Sequence, residues 1–169
     1  LFMSMSSDSI HILHVDDDRD FAELTASFLK RDDDRFSIEI ETHADTALDA
    51  LTDGRFDCVI SDYDMPNQNG IQFLEAVRED YPELPFILFT GKGSEAVASE
   101  AISAGVTDYL QKESGTEQYT VLANRIRNAV ERARAQAEQQ RQFNAIETAR
   151  EGISILDEDR QFAYVNQAY

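Results

Sequence analysis

Cysteine is nearly absent from this 169-residue chain: Cys58 is alone, inside an apolar run. One thiol excludes a disulfide framework and a cysteine-built zinc site. A cysteine so placed reads as a small buried hydrophobe. It carries no compartment signal beyond a reducing one. Lysine is also scarce, with Lys30, Lys92 and Lys112 among 15 basic residues. Long apolar runs are missing, and none approaches the ~20 residues that span a bilayer. A phosphate loop is missing too: Gly91-Lys92-Gly93-Ser94 would need a first glycine where Phe86 stands. No Gly-x-Gly-x-x-Gly follows a strand. His11, His14 and His43 lack metal-ligand spacing; His11 and His14 fall in or beside the first strand, where core or rim packing is expected. No basic cluster interleaved with aromatics suggests nucleic-acid readout.

Acid is plentiful. Asp and Glu total 33, giving a formal net charge of -18. Such a chain should be repelled by nucleic acid and by anionic membranes. Two readings fit the excess: an acidic interaction partner, or a protein adapted to molar salt, where screening over a few ångströms makes dense surface acid tolerable. The second is preferred. Residues 1–7 lack the charged and apolar regions of a signal peptide and read as a frayed start or an expression scar. A cytoplasmic address is expected.

Strand and helix signals alternate strictly from residue 10 to residue 112. Ile10 to Val15 is a short apolar run, followed at once by Asp16, Asp17 and Asp18. Phe21, Leu24, Phe28 and Leu29 then recur at helical spacing. An acid just before such a run is by default a helix cap. Phe36, Ile38 and Ile40 alternate with polar residues, as in an edge strand. Ala47, Leu48, Ala50 and Leu51 make a short helix closed by Gly54. The continuous runs 58–60 and 85–90 read as strands buried on both faces. Phe73, Leu74 and Val77 mark a third helix, Ala96, Val97, Ala101 and Ile102 a fourth, and 106–112 a last strand. Short connections between alternating elements predict a parallel sheet with helices on both faces. The fold class is α/β, a flavodoxin-like doubly wound five-stranded parallel sheet of order 2-1-3-4-5 with a C-terminal extended helix.

Residues 125–150 contain no glycine or proline, and carry six arginines against three glutamates. The helix there is net +3, which leaves -21 for the rest. A heptad through Leu122, Ile126, Ala129, Ala133, Gln136, Gln140, Phe143 and Glu147 is apolar only in its first half. A coiled coil and a solvated linker helix both fit. Residues 152–166 read as two short strands around an acidic turn. The expected division is 1–8 disordered start, 9–120 main domain, 121–150 extended helix, and 151–169 the opening of another domain.

Four strand ends carry chemistry: Asp16 and Asp17, Asp62, Thr90, and Lys112. In a parallel sheet these ends share one edge. Carboxylates held close repel one another and raise one another's pKa. A divalent cation relieves this, and an all-oxygen set suits Mg2+. One carboxylate can then attack phosphorus, while an ammonium and a hydroxyl stabilise the transferring oxygens. Singly, each residue has a plainer role as cap, turn former or surface charge. At four matching strand ends, coincidence is a poor account.

Ile12-Leu13-His14-Val15-Asp16-Asp17-Asp18, Ser61-Asp62-Tyr63-Asp64-Met65-Pro66, Gly70, Phe89-Thr90-Gly91 and Tyr109-Leu110-Gln111-Lys112 together resemble the response-regulator receiver family of two-component signalling. The resemblance covers about residues 10–130. It implies a phosphoacceptor at Asp62 and an acidic pair in Asp16 and Asp17, with Asp17 a direct Mg2+ ligand. The backbone carbonyl of Asp64 would be another ligand. Thr90 and Lys112 would contact the phosphoryl group, and Tyr109 would be an aromatic switch. The implied partner is a sensor histidine kinase or phosphotransfer protein. Such a domain catalyses its own phosphorylation and dephosphorylation without being a turnover enzyme. One departure is Glu113, where the family usually has proline. Residues 145–169, with Gly152-Ile153-Ser154-Ile155-Leu156-Asp157 and Tyr164-Val165-Asn166, resemble the opening of a PAS domain. The whole arrangement resembles haloarchaeal receiver–PAS proteins. An output module, such as a histidine kinase, would lie beyond residue 169, and a homodimer through the C-terminal helix is a further expectation. Neither nucleic acid nor membrane is an expected partner. Two rivals remain at this stage. One is an aspartyl-nucleophile phosphatase of haloacid-dehalogenase type, using Asp62 and Asp64. The other is a non-phosphorylated dimerisation scaffold.

Overall fold

The computed structural model describes residues 8–91, 93–148, 154–156, 158 and 160–165. The chain forms two compact units, one up to Glu131 and one from Arg132. The first begins with β1 (Ile10–Val15), α1 (Arg19–Asp32), β2 (Phe36–Glu41), α2 (Ala44–Asp53) and β3 (Cys58–Ser61). It continues with α3 (Gly70–Asp80), β4 (Phe86–Thr90), α4 (Glu95–Ser103), β5 (Asp108–Gln111) and the start of α5 (Glu117–Glu147).

The sheet order is β2-β1-β3-β4-β5, and every pairing is parallel. This is the expected doubly wound architecture. Burial follows position in the sheet. All residues of β3 and β4 are buried, because helices cover both faces. β2 alternates towards solvent, and β5 is half-buried from Asp108 to Leu110 and exposed at Gln111, as edge strands are. Successive side chains on a strand point to opposite faces, so β1 feeds two cores. Leu13 and Val15 join Leu51, Phe73, Leu74, Val77 and Leu88 on one side. Ile10 and Ile12 join Leu29, Phe89, Leu122 and Ile126 on the other.

The caps differ in detail from the expected pattern. Asp18, not Asp16 or Asp17, caps α1, its side chain accepting the Phe21 amide at 3.0 Å. The pair before it is thereby released from capping. Asn69 and Gln72 form a reciprocal capping box at the start of α3. Gly54 closes α2, as expected.

Helix α5 begins at Glu117, four residues before the expected start, and runs without interruption to Glu147. Its buried residues, from Gln118 to Val130, all lie in the first half. Residues 149 and 150 of the expected helix lie outside the described residues. The second unit also contains an antiparallel hairpin, β6 (Ser154–Leu156) and β7 (Phe162–Val165), matching the two strands read from the sequence. Within it Arg160 has a positive φ of 62° at the turn, and Tyr164 packs edge-on to Phe143 with centroids 6.2 Å apart. Residues 1–7, read as a frayed start, and Gly152, Ile153, Asp157 and Asn166 of the PAS-like pattern lie outside the described residues.

Candidate functional site

Backbone hydrogen bonds set the site before any side chain enters it. The amide of Asp16 donates to Glu41 O at 3.0 Å, that of Asp62 to Val15 O at 2.9 Å, and that of Lys112 to Thr90 O at 2.8 Å. Each residue is the first beyond its strand, held by one more rung of the neighbouring ladder. The three side chains are therefore placed at one edge of the sheet by register alone.

Asp16 is fully buried, Asp62 nearly so, and Asp17 exposed. Carboxylate oxygens of all three lie within 4.8 Å of one another. Lys112 bridges two of them. Its Nζ donates to Asp16 Oδ2 at 2.8 Å and lies 3.5 Å from Asp62 Oδ1. Asp16 Oδ1 accepts the Asp18 amide at 2.9 Å, and Asp62 Oδ1 accepts the Tyr63 amide at 2.8 Å. The ammonium sits 4.3 Å from the centre of the Phe21 ring and 6.0 Å from that of Phe89. These aromatic faces attract a cation and steer it towards the carboxylates. Phe21 was legible only as a core position of α1.

Burial pushes the Asp16 carboxyl above its ordinary value, opposed chiefly by the hydrogen bond and charge of Lys112. The mutual repulsion expected from the sequence is present, but Asp62 is the smallest contributor. His14 is buried completely and neither ring nitrogen is hydrogen-bonded; its Nε2 is 4.0 Å from Asp16 Oδ2. Burial first, then the Lys112 charge, lower its pKa to about 3, with the Ala22 backbone working weakly the other way. The imidazole is therefore neutral. The expected core position of His14 is observed, but its unpaired nitrogens beside the carboxylates were not foreseen.

The loop after β3 passes very close to α3. A Cβ on Gly70 would lie 2.2 Å from the Asp62 carbonyl oxygen, so only glycine permits this approach. The Gly70 amide donates to Tyr63 O at 2.8 Å, which fastens the loop. Asp64 points to solvent, at the rim. Thr90 is buried at the end of β4. Tyr109 is half-buried on β5 and packs against the core beneath α4.

Glu113 raised the question of what holds the loop after β5. The answer is Gln118, which no sequence pattern singles out. Its buried amide takes the Glu113 amide on Oε1 at 3.0 Å and donates from Nε2 to the carbonyls of Glu113 and Gly115. One side chain thus pins both polar groups of the residue following Lys112.

Three carboxylates and one ammonium at this spacing form an oxygen-rich pocket with excess negative charge. The donor set fits a hard divalent cation.

Residues 12–124 match the family model of the response regulator receiver domain. The transcriptional regulatory protein FixJ of Bradyrhizobium diazoefficiens is 32% identical over 128 residues, 75% of this chain and 62% of that protein. The transcriptional regulatory protein CpxR of Escherichia coli is 32% identical over 152 residues, 90% of this chain and again 62% of that protein. The chain thus spans under two thirds of the length of these relatives. Among solved structures, the chemotaxis response regulator CheY4 of Vibrio cholerae is 28% identical with a TM-score of 0.63, covering 70% of this chain and 98% of that one. A CheY-like receiver domain from Methanospirillum hungatei shares the fold, with a TM-score of 0.68 at 23% identity over 76% of this chain and 98% of its own.

Proposed function

This chain belongs to the response regulator receiver domain family of phosphorylation-based two-component signalling, and on that premise we propose that Asp62 accepts the phosphoryl group. The donor is a phosphohistidine on a sensor kinase or phosphotransfer protein, or a small phosphodonor. The observation that carries this reading is the Lys112 ammonium held between Asp16 at 2.8 Å and Asp62 at 3.5 Å. Asp62 Oδ1 is already committed to the Tyr63 amide, which leaves Oδ2 to attack. The new O–P bond forms as the donor's N–P bond breaks, and the departing imidazole takes up a proton.

Asp16, Asp17 and Asp62, with the Asp64 carbonyl, would hold Mg2+. When bound, the cation supplies positive charge against the phosphoryl oxygens. Lys112 and Thr90 contact that group, and Lys112 must turn from Asp16 to do so. Tyr109 follows Thr90 inward, which biases the surface formed by α4, β5 and α5. The buried hydroxyl of Thr90 and the half-buried ring of Tyr109 suit these roles.

The exposed side chain of Asp64 weighs against the phosphatase reading, in which a second acid protonates a leaving group inside the site. For the output, FixJ and CpxR are named as transcriptional regulatory proteins. Here the β6–β7 hairpin and its sequence pattern favour a PAS domain, reached through α5, on which two chains could pair. No helix among the described residues is long and apolar enough to cross a membrane. We place the protein in the cytoplasm, in a salt-rich one given its charge of -18.

The test is labelling by acetyl phosphate. Wild type should label only with Mg2+, and Asp62→Asn should not label. Equal labelling of the two would remove Asp62 from the role.

A further inference from the structure

Among the described residues, His14 holds the buried side-chain polar atoms that have no hydrogen bond. Leaving such atoms unpaired in a core is unfavourable, and a leucine or valine would fill the place without them. The position is informative. His14 and Asp16 are two apart on β1, so both side chains leave the strand on the same face. That face is otherwise apolar, with Ile10, Ile12 and Phe89. The imidazole Nε2 stops 4.0 Å from Asp16 Oδ2, about 1 Å beyond a hydrogen bond.

Asp16 Oδ2 is occupied by Lys112 at 2.8 Å. If Lys112 swings to a phosphoryl oxygen, this oxygen of a fully buried carboxylate loses its ammonium donor. A metal ion balances charge but donates no hydrogen bond. A neutral imidazole with a proton on Nε2 can, after a small ring movement.

We propose that His14 is a positioning residue that takes over Asp16 Oδ2 when Lys112 leaves it, its Nε2–H donating to the carboxylate. No proton changes owner. In the resting state the ammonium holds Asp16 and His14 waits unpaired; in the switched state the imidazole holds Asp16 and Lys112 is free for the phosphoryl group. The orphaned histidine thereby lowers the penalty of moving the lysine. The idea rests on the reading of Lys112 as a phosphoryl contact, but its first test does not.

That test removes the lysine directly. In Lys112→Met, Asp16 is released without any phosphoryl group. The His14 ring should then show an exchange-protected Nε2 proton by 15N nuclear magnetic resonance, absent in wild type. In a double-mutant cycle, Lys112→Met should shift the unfolding equilibrium about tenfold more in a His14→Leu background than in wild type. Additive effects with unchanged ring signals would overturn the proposal. Should Lys112→Met fail to fold, wild type treated with acetyl phosphate and Mg2+ decides: labelling at Asp62 accompanied by the protected Nε2 proton supports it. Labelling without that proton overturns the role of His14 and leaves Asp62 intact. No labelling overturns the phosphoacceptor reading and, with it, the exchange of partners at Asp16.

Discussion

The sheet carries an acidic cluster at each end, and the two differ in how their charge is met. At the amino end, between α1 and β2, Asp33 accepts from Arg35 Nη2 at 2.7 Å and from Arg127 at 3.3 Å. Arg35 also reaches Asp8, at 3.2 Å, and Arg127 reaches Asp32 at 2.8 Å. Two guanidiniums meet three carboxylates, and hydrogen bonds from Arg35 hold Asp33 well below the usual carboxylate range. At the carboxyl end, one ammonium meets three carboxylates, and burial pushes Asp16 upward. The first cluster is one positive charge short of balance and fastens α1, β2 and α5 together. The second is left short of positive charge and of hydrogen bonds. A chain with acid to spare everywhere distinguishes structure from chemistry by where it places its few cations.

The largest expected separation is kinetic. Lys112→Met should slow labelling by acetyl phosphate about 100-fold, the usual scale for removing an electrostatic stabiliser. Asp33→Asn should leave the rate unchanged. A comparable loss in both would erase the distinction between the ends. Next in size is Gln118→Ala, which strands buried groups of the loop behind Lys112. It should cost about 1–3 kcal/mol in urea unfolding, with faster amide exchange confined to residues 113–117.

The two acids should also respond oppositely to neutralisation. With divalent cations removed, Asp16→Asn should raise Tm, because the fold favours the uncharged form there; Asp33→Asn should lower it, each by about 2–4 °C. The smallest effect is in the pH profile of stability, and its sign follows from linkage. Asp33 has a depressed folded value, so its contribution is present above the ordinary value of 3.8 and fades as pH falls through the folded one. Asp16 has a raised folded value, so its contribution is complete below 3.8 and is lost as pH rises through the folded value. Asp33→Asn should flatten the acid limb of the profile. Asp16→Asn should flatten the decline on the other side.

Much of this was legible in the chain itself. Continuous apolar runs separated by short turns dictate a parallel sheet, and the alternating run at Phe36 marks an edge. A parallel sheet in turn places Asp16, Asp62, Thr90 and Lys112 at one end, although 96 positions separate Lys112 from Asp16. Periodicity reports the side a residue faces, and that sufficed. It does not report which polar atoms meet. Asp18 rather than its neighbours caps α1 because the chain turns there, and three consecutive aspartates look alike in sequence. Gln118 is one polar residue at a helix start, where polar residues are ordinary; its importance lies in an amide reaching back to Glu113. His14 sits in a strand pattern that reads as core whether or not its nitrogens find partners.

The rungs that carry Asp16, Asp62 and Lys112 have a consequence for folding. A strand shifted by one residue turns every side chain to the opposite face. A slip in β1, β3 or β5 would therefore bury the wrong neighbour and aim the charged residue away from the pocket. The pocket exists only if three separate pairings have closed in the right alignment. Competence for labelling is thus also an audit of strand alignment: a chain collapsed in the wrong register could be compact and helical, yet silent to every phosphodonor.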